Sequence, residues 1–93
     1  MNGMKPMFIT IHLCPELEKI TGWGKDRSIV STGCPFFFIF ESLLVDYPKI
    51  MATYPPEAEV LGFTVNGRAP DFFAPLQEGD QLHFWIQDRT NLQ

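Results

Sequence analysis

The sequence is poor in cysteine, in basic residues and in long apolar runs, and each shortage excludes a class of protein. Two cysteines among 93 residues cannot supply the four ligands of a plant-type iron–sulfur cluster. Seven Lys and Arg against eleven Asp and Glu give a net charge of −4, and the basic residues are scattered, so nucleic acid is not expected as a partner. The most apolar stretch, Cys34–Phe40, is far shorter than the roughly 20 residues that span a bilayer.

What the chain does contain is enough apolar material for one packed domain. Hydrophobic residues make up 45% of the sequence and nine residues are Phe, so we expect a single domain over residues 1–93. The first residues lack a basic start followed by an apolar run, so we expect a cytoplasmic protein without a signal peptide or membrane span. Cys14 and Cys34 are predicted to lie at opposite ends of the sheet, farther apart than the roughly 7 Å that a disulfide bridges. We therefore expect both to be free thiols.

Alternating apolar and polar residues predict strands. Residues 7–13 place Met and Ile on one face and Phe8, Thr10 and His12 on the other, and residues 81–86 place Leu82, Phe84 and Ile86 opposite His83 and Trp85. Further strands are expected over residues 28–31, a short edge strand, and 60–66. A brief edge strand is expected at residues 72–73.

A main helix is predicted from Pro35 to Tyr47. Proline suits its first position, and Pro48 ends it because the residue before a proline avoids the helical conformation. A short helical turn is expected over residues 15–20, and a proline-rich connection follows the main helix. The predicted buried face consists of Phe36, Phe40, Leu43, Leu44 and Tyr47.

These elements predict an α+β domain with one sheet and one main helix. An ordered set of segments then resembles the MoaD/ThiS family of small sulfur carriers: Met7–Leu13, Glu16–Gly22, Leu43–Pro48, Val65-Asn66-Gly67-Arg68, Pro75-Leu76 and Glu78-Gly79-Asp80. The resemblance implies a β-grasp (ubiquitin-like) fold, a mixed sheet of four to five strands whose first and last strands are neighbours. The TGS domains share the Val-Asn-Gly and Gly-Asp elements and are the rival resemblance.

In the sulfur carriers a partner enzyme activates a terminal Gly-Gly, which then carries sulfur. This sequence contains no two adjacent glycines, so it offers no C-terminal acceptor of that kind. The resemblance therefore implies a diverged, non-enzymatic member of molybdopterin- or thiamine-type biosynthesis, which docks an activating or acceptor enzyme without carrying sulfur and needs no cofactor. The alternatives are a free-standing TGS-like regulatory or ligand-binding module and a dimerising interaction subunit.

Docking in that family uses the sheet face away from the helix together with the tail. His12 and His83 are expected to be neighbours on this face; two ligands are too few for a structural zinc site, so no metal is expected. Trp85 is the predicted anchor of an interface, with packing beneath the tail as the alternative. The predicted partner-binding residues are Thr10, His12, Thr64, His83, Trp85, Asp88 and Arg89.

Two phenylalanines of the main helix have no predicted place in the core. Phe37, Phe38 and the neighbouring Ile39 lie beside the buried face, because consecutive residues fan around a helix axis. Either a loop such as that of Trp23 covers them, or they form a patch through which the protein dimerises. Cys34 lies just before the helix, where a lowered pKa would favour a nucleophile, but a packed thiol is the commoner case. No catalytic residue is assigned.

Overall fold

The structure is a computed structural model and describes residues 5–87. Its strands are β1 (Pro6–Leu13), β2 (Lys25–Ser31), β3 (Leu61–Val65) and β4 (Gln81–Ile86). Its helices are α1 (Pro15–Thr21), α2 (Phe36–Asp46) and α3 (Pro48–Thr53), followed by a 3-10 turn at Pro56–Ala58. No helix in this part of the chain has the length and apolar character needed to cross a membrane.

The strands of residues 5–87 form one mixed sheet in the order β2-β1-β4-β3. β1 runs antiparallel to β2 and parallel to β4, and β3 runs antiparallel to β4. Ile11 lies opposite Leu82, and Leu13 lies opposite Phe84. The first and last strands are therefore central neighbours, which confirms the predicted α+β fold with a β-grasp sheet.

One face of the sheet packs against the helices. The alternation in β1 and β4 buries Ile9, Leu82 and Phe84 almost completely, while Ile86 is only half-buried at the margin. The helices contribute the other side of the core: Leu17, Phe36, Ile39, Leu43 and Ile50. Phe40, Leu44 and Tyr47 of the predicted helical face are half-buried and pack against this core. Ile39, which the sequence predicts to lie beside that face, is buried.

Several element boundaries differ from those that the sequence predicts, and the largest difference is in β2. β2 begins at Lys25 rather than at Ser28, because pairing with β1 holds three polar residues that carry no strand signature of their own. Pro35 is the residue before α2 rather than its first residue, and α2 does end before Pro48. Pro48 then starts α3 instead of a plain connection, since proline is favoured in the first turn of a helix.

The predicted edge strand at residues 72–73 is wrong, because both residues form part of a turn. The Phe72 carbonyl accepts a hydrogen bond from the Phe37 N–H at 2.8 Å. The Phe72 ring lies 5.2 Å from the rings of both Phe36 and Phe63. This segment is therefore hydrophobic because the Phe72 ring packs against the core, and not because the segment pairs as a strand.

The buried carboxylate of Asp80 explains the spacing of the Val-Asn-Gly and Gly-Asp segments. Asn66, with a φ of 53°, donates from Nδ2 to Asp80 Oδ1 at 2.8 Å. The Gln77 N–H donates to Asp80 Oδ2 at 2.8 Å, and the Gln81 N–H donates to Asn66 Oδ1 at 2.9 Å. These bonds join the turn after β3 to the start of β4 and so set where the last strand begins.

Candidate functional site

The sheet face opposite the core carries the predicted site. His12 on β1 lies beside His83 on β4, which in turn lies beside Thr64 on β3. Pairing with β1 brings side chains of β2 to the same face. We call this surface the open face; its residues, all half-buried or exposed, are Phe8, Thr10, His12, Lys25, Arg27, Ile29, Thr64, Gln81, His83 and Trp85.

The two histidines of the open face are neighbours, as the sequence predicts, and their rings are stacked. Their ring centroids lie 4.2 Å apart and their planes are inclined by 5°. His12 Nε2 is hydrogen-bonded to Gln81 Oε1 at 2.8 Å, which orients the ring. The structure thus brings this pair together, while its role in partner binding stays a prediction.

The pKa of His83 is lowered from its ordinary value of 6.5, first by burial and then by the charge of His12. Lys25 and Arg27 also lie on this face from β2, and further positive charge there opposes protonation. Near and below about pH 6.5, His83 therefore binds a proton more readily in the unfolded chain than in the native protein. The free energy of unfolding consequently falls as the pH falls.

We expect His83→Gln to flatten the pH dependence of the free energy of unfolding between about pH 7.5 and about pH 5.5. The reason is that the substitution removes the group whose pKa differs between the native and unfolded states. Urea unfolding at a series of pH values measures it. His12→Gln is the matched control and should flatten it less, since burial, the larger cause, remains. An unchanged slope in His83→Gln would contradict the assignment.

Trp85 lies flat on the neighbouring strand, over a glycine. A Cβ at Gly62 would lie 2.5 Å from Trp85 Cε2, and Gly62 is the residue opposite Trp85 in the β3–β4 ladder. The indole is half-buried and so presents one side to solvent. Asp88 and Arg89, which the sequence also assigns to the site, lie outside the described residues.

The site prediction missed five residues of the open face: Phe8, Lys25, Arg27, Ile29 and Gln81. Arg27 places its guanidinium carbon 3.9 Å from the centroid of the Phe8 ring, and Ile29 is 64% exposed. Phe8 could have been predicted, because the alternation of residues in β1 places it on the same face as Thr10 and His12. Lys25 and Arg27 join the face only through the full length of β2, whereas Ile29 lies within the predicted strand and is placed on this face by its register with β1. A glycine inside a strand, as at Gly62, is itself a signal of close approach.

Other candidate chemistry finds little support among residues 5–87. No group of three or more His, Cys, Asp and Glu side chains there is arranged to hold a metal ion. Both cysteines are free thiols, as predicted. Burial raises the pKa of Cys34, which is opposite to the lowered value that an activated nucleophile would need.

The two phenylalanines of α2 have different surroundings. The Phe37 ring lies 5.6 Å from that of Phe73 and remains 37% exposed, and Phe38 is 56% exposed. Trp23 does not cover them, because its Nε1 donates to the Tyr47 hydroxyl at 3.0 Å, just beyond the other end of α2. Phe37 is thus partly covered by Phe73, and Phe38 projects from the surface.

Comparison with known proteins gives structural matches only. No family model matches the sequence, and no curated protein matches it. The small archaeal modifier protein 1 of Haloferax volcanii is similar in structure, with a TM-score of 0.70 and 15% identity over 88% of this chain and 99% of that one.

Two further structures are similar over most of their length. A protein of Pyrococcus furiosus described as molybdopterin converting factor subunit 1 matches with a TM-score of 0.71 and 16% identity, over 88% of this chain and 99% of that one. The small archaeal modifier protein 1 of Methanosarcina acetivorans matches with a TM-score of 0.64 and 12% identity, over 97% of this chain and 100% of that one. The chain therefore shares the β-grasp, ubiquitin-like fold of these proteins.

Proposed function

We propose that this protein is a small non-catalytic docking protein of the MoaD/ThiS type, which binds a protein partner through its open face and does not itself carry sulfur. The partner class is an activating or acceptor enzyme of molybdopterin- or thiamine-type biosynthesis in the cytoplasm. The observation that supports this most is the open face itself: a rigid sheet surface on which Trp85, Phe8 and the stacked histidines remain accessible while the other face is buried.

The composition of the open face suits recognition of a protein surface. Trp is enriched among residues that dominate binding energy, and Trp85 is held in place by Gly62 before any partner arrives. Little conformational entropy is then lost on binding, because the ring is already ordered. Lys25 and Arg27 lie on the same face near the β2 edge, whereas the whole chain carries −4. The partner is therefore expected to be acidic where it meets β2.

One feature of the sequence supports the proposal that this protein does not carry sulfur. The 93 residues contain no pair of adjacent glycines. In carriers that accept sulfur, the glycine tail enters a narrow channel where a Cβ would clash. A protein that docks through this face without a Gly-Gly pair would occupy, bridge or regulate the partner enzyme and not deliver sulfur to it.

The test measures both the binding of this protein to an activating enzyme and its intact mass after incubation. The protein is incubated with an activating enzyme of the MoeB or ThiF type, ATP and a sulfur donor, and its intact mass is measured alongside a carrier that ends in Gly-Gly. We expect the control carrier to gain one sulfur-for-oxygen exchange and this protein to keep its mass, yet to bind the enzyme in calorimetry. A mass gain would overturn the non-carrier role, and the absence of binding to both activating and acceptor enzymes would overturn docking.

A further inference from the structure

Among residues 5–87, no strand pairs with the outer edge of β2. β2 lies at one end of the sheet. At the two ends of its ladder with β1, the Leu13 N–H donates to the Gly24 carbonyl at 2.8 Å and the Thr32 N–H donates to the Lys5 carbonyl at 3.0 Å. Alternate residues of an antiparallel strand point their backbone groups the other way, so the free edge is formed by Lys25, Arg27, Ile29 and Ser31. Of these, the Ser31 carbonyl accepts a bond from the Cys34 N–H.

An apolar groove of about 490 Å³ runs beside this edge, between β2 and the start of α2. Val30, Cys34 and Pro35 lie along it, and two exposed apolar residues border it, Ile29 and Phe38. A strand edge next to an apolar groove favours pairing with another strand, which satisfies the backbone and covers the side chains together.

We propose that a second copy of this chain occupies this edge, with the two β2 strands antiparallel about a two-fold axis at Ser28. In this arrangement Arg27 and the second copy's Ile29 exchange both backbone hydrogen bonds, and Lys25 lies opposite the second copy's Ser31. Phe38 of each copy lies beside the groove of the other. The two sheets become one, and their open faces lie on the same side.

The charges of β2 select this register. An axis at Asp26 would set Lys25 opposite the second copy's Arg27, and an axis at Arg27 would set that residue opposite itself. Both place like charges in direct opposition, which destabilises a ladder. An axis at Ile29 removes the repulsion but leaves Lys25 with no strand residue opposite, so only the axis at Ser28 pairs the whole strand without a like-charge pair.

The same features favour a second copy over a foreign strand. A two-fold interface needs one patch that is complementary to itself. Here the projecting residues, Ile29 and Phe38, and the groove that they border belong to one surface. The charge pattern of β2 is likewise compatible with its own reversed sequence.

Disulfide cross-linking tests the register. In a Cys14→Ser/Cys34→Ser background, Ser28→Cys places two thiols in a non-hydrogen-bonded pair, where Cα atoms lie about 4.5 Å apart, within disulfide range. We expect mild oxidation to give a covalent dimer. Lys25→Cys is the control on the same strand; its thiols are far apart in this register and should not cross-link. Equal or faster cross-linking of the control would overturn the proposal.

Sedimentation equilibrium tests the association itself. Ile29→Lys sets a lysine opposite the second copy's Arg27 and should weaken the dimer roughly tenfold or more. Val45→Lys, at a 70% exposed position of α2, should leave the dimer unchanged, and circular dichroism confirms that both variants fold. A wild-type protein that stays monomeric up to about 1 mM overturns the proposal. Trp85→Ala should not affect dimerisation, so failure here is separate from failure of open-face docking.

Discussion

Replacing Phe36 with Ala is expected to lower the free energy of unfolding by about 3–5 kcal/mol. Phe36 is fully buried, and its ring centroid lies 5.5 Å from that of Phe63 and 5.8 Å from that of Phe84. The ring therefore joins α2 to both β3 and β4. Removing it creates a cavity among other rigid rings that cannot close over it. Small domains have only about 5–15 kcal/mol of total stability, so much of this protein would unfold.

Urea unfolding followed by circular dichroism measures this loss. Val45→Ala on the same helix is the matched control, because Val45 is 70% exposed and its truncation should change stability by less than about 0.5 kcal/mol. If Phe36→Ala shifts the unfolding midpoint no more than Val45→Ala does, the aromatic cluster is not the centre of the core.

Replacing Trp85 with Ala is expected to weaken binding to the partner enzyme about 30-fold or more, which corresponds to a hot-spot loss of about 2 kcal/mol. The indole is the largest accessible ring of the open face, and it is half-buried against Gly62. Its loss removes apolar contact area and an ordered anchor together. Isothermal titration calorimetry with the activating or acceptor enzyme that binds the wild type measures the change.

Gly62→Ala separates the presence of the indole from its placement. The new Cβ would lie 2.5 Å from Trp85 Cε2, so the indole has to leave its position although the residue is still tryptophan. Affinity should then fall in the same direction as for Trp85→Ala. Val45→Ser, on the exposed side of α2, should bind as the wild type does. Unchanged affinity in both Trp85→Ala and Gly62→Ala would show that the partner contacts another surface.

The open face could be predicted only in part from the sequence. The alternation in β1 and β4 places His12, His83 and Trp85 on one side, because side chains of a strand alternate whatever its neighbours are. Arg27 was missed, since a run of Lys, Asp and Arg has no strand preference and becomes part of β2 only when β1 pairs with it. Ile29 lies within the predicted edge strand over residues 28–31, but the face that it occupies depends on the register with β1.

Local pattern was sufficient for the main helix, the two central strands and the turn at Asn66, because these depend on residues close together in the chain. Contacts between distant segments decided the rest. Phe72 turned out to be a core ring in a turn, Pro48 began a helix, and Trp85 came to lie on a glycine of the neighbouring strand. The physical reason is that packing and ladder register are set by which strands become neighbours, and a period of two or 3.6 residues says which way a side chain points but not what it meets.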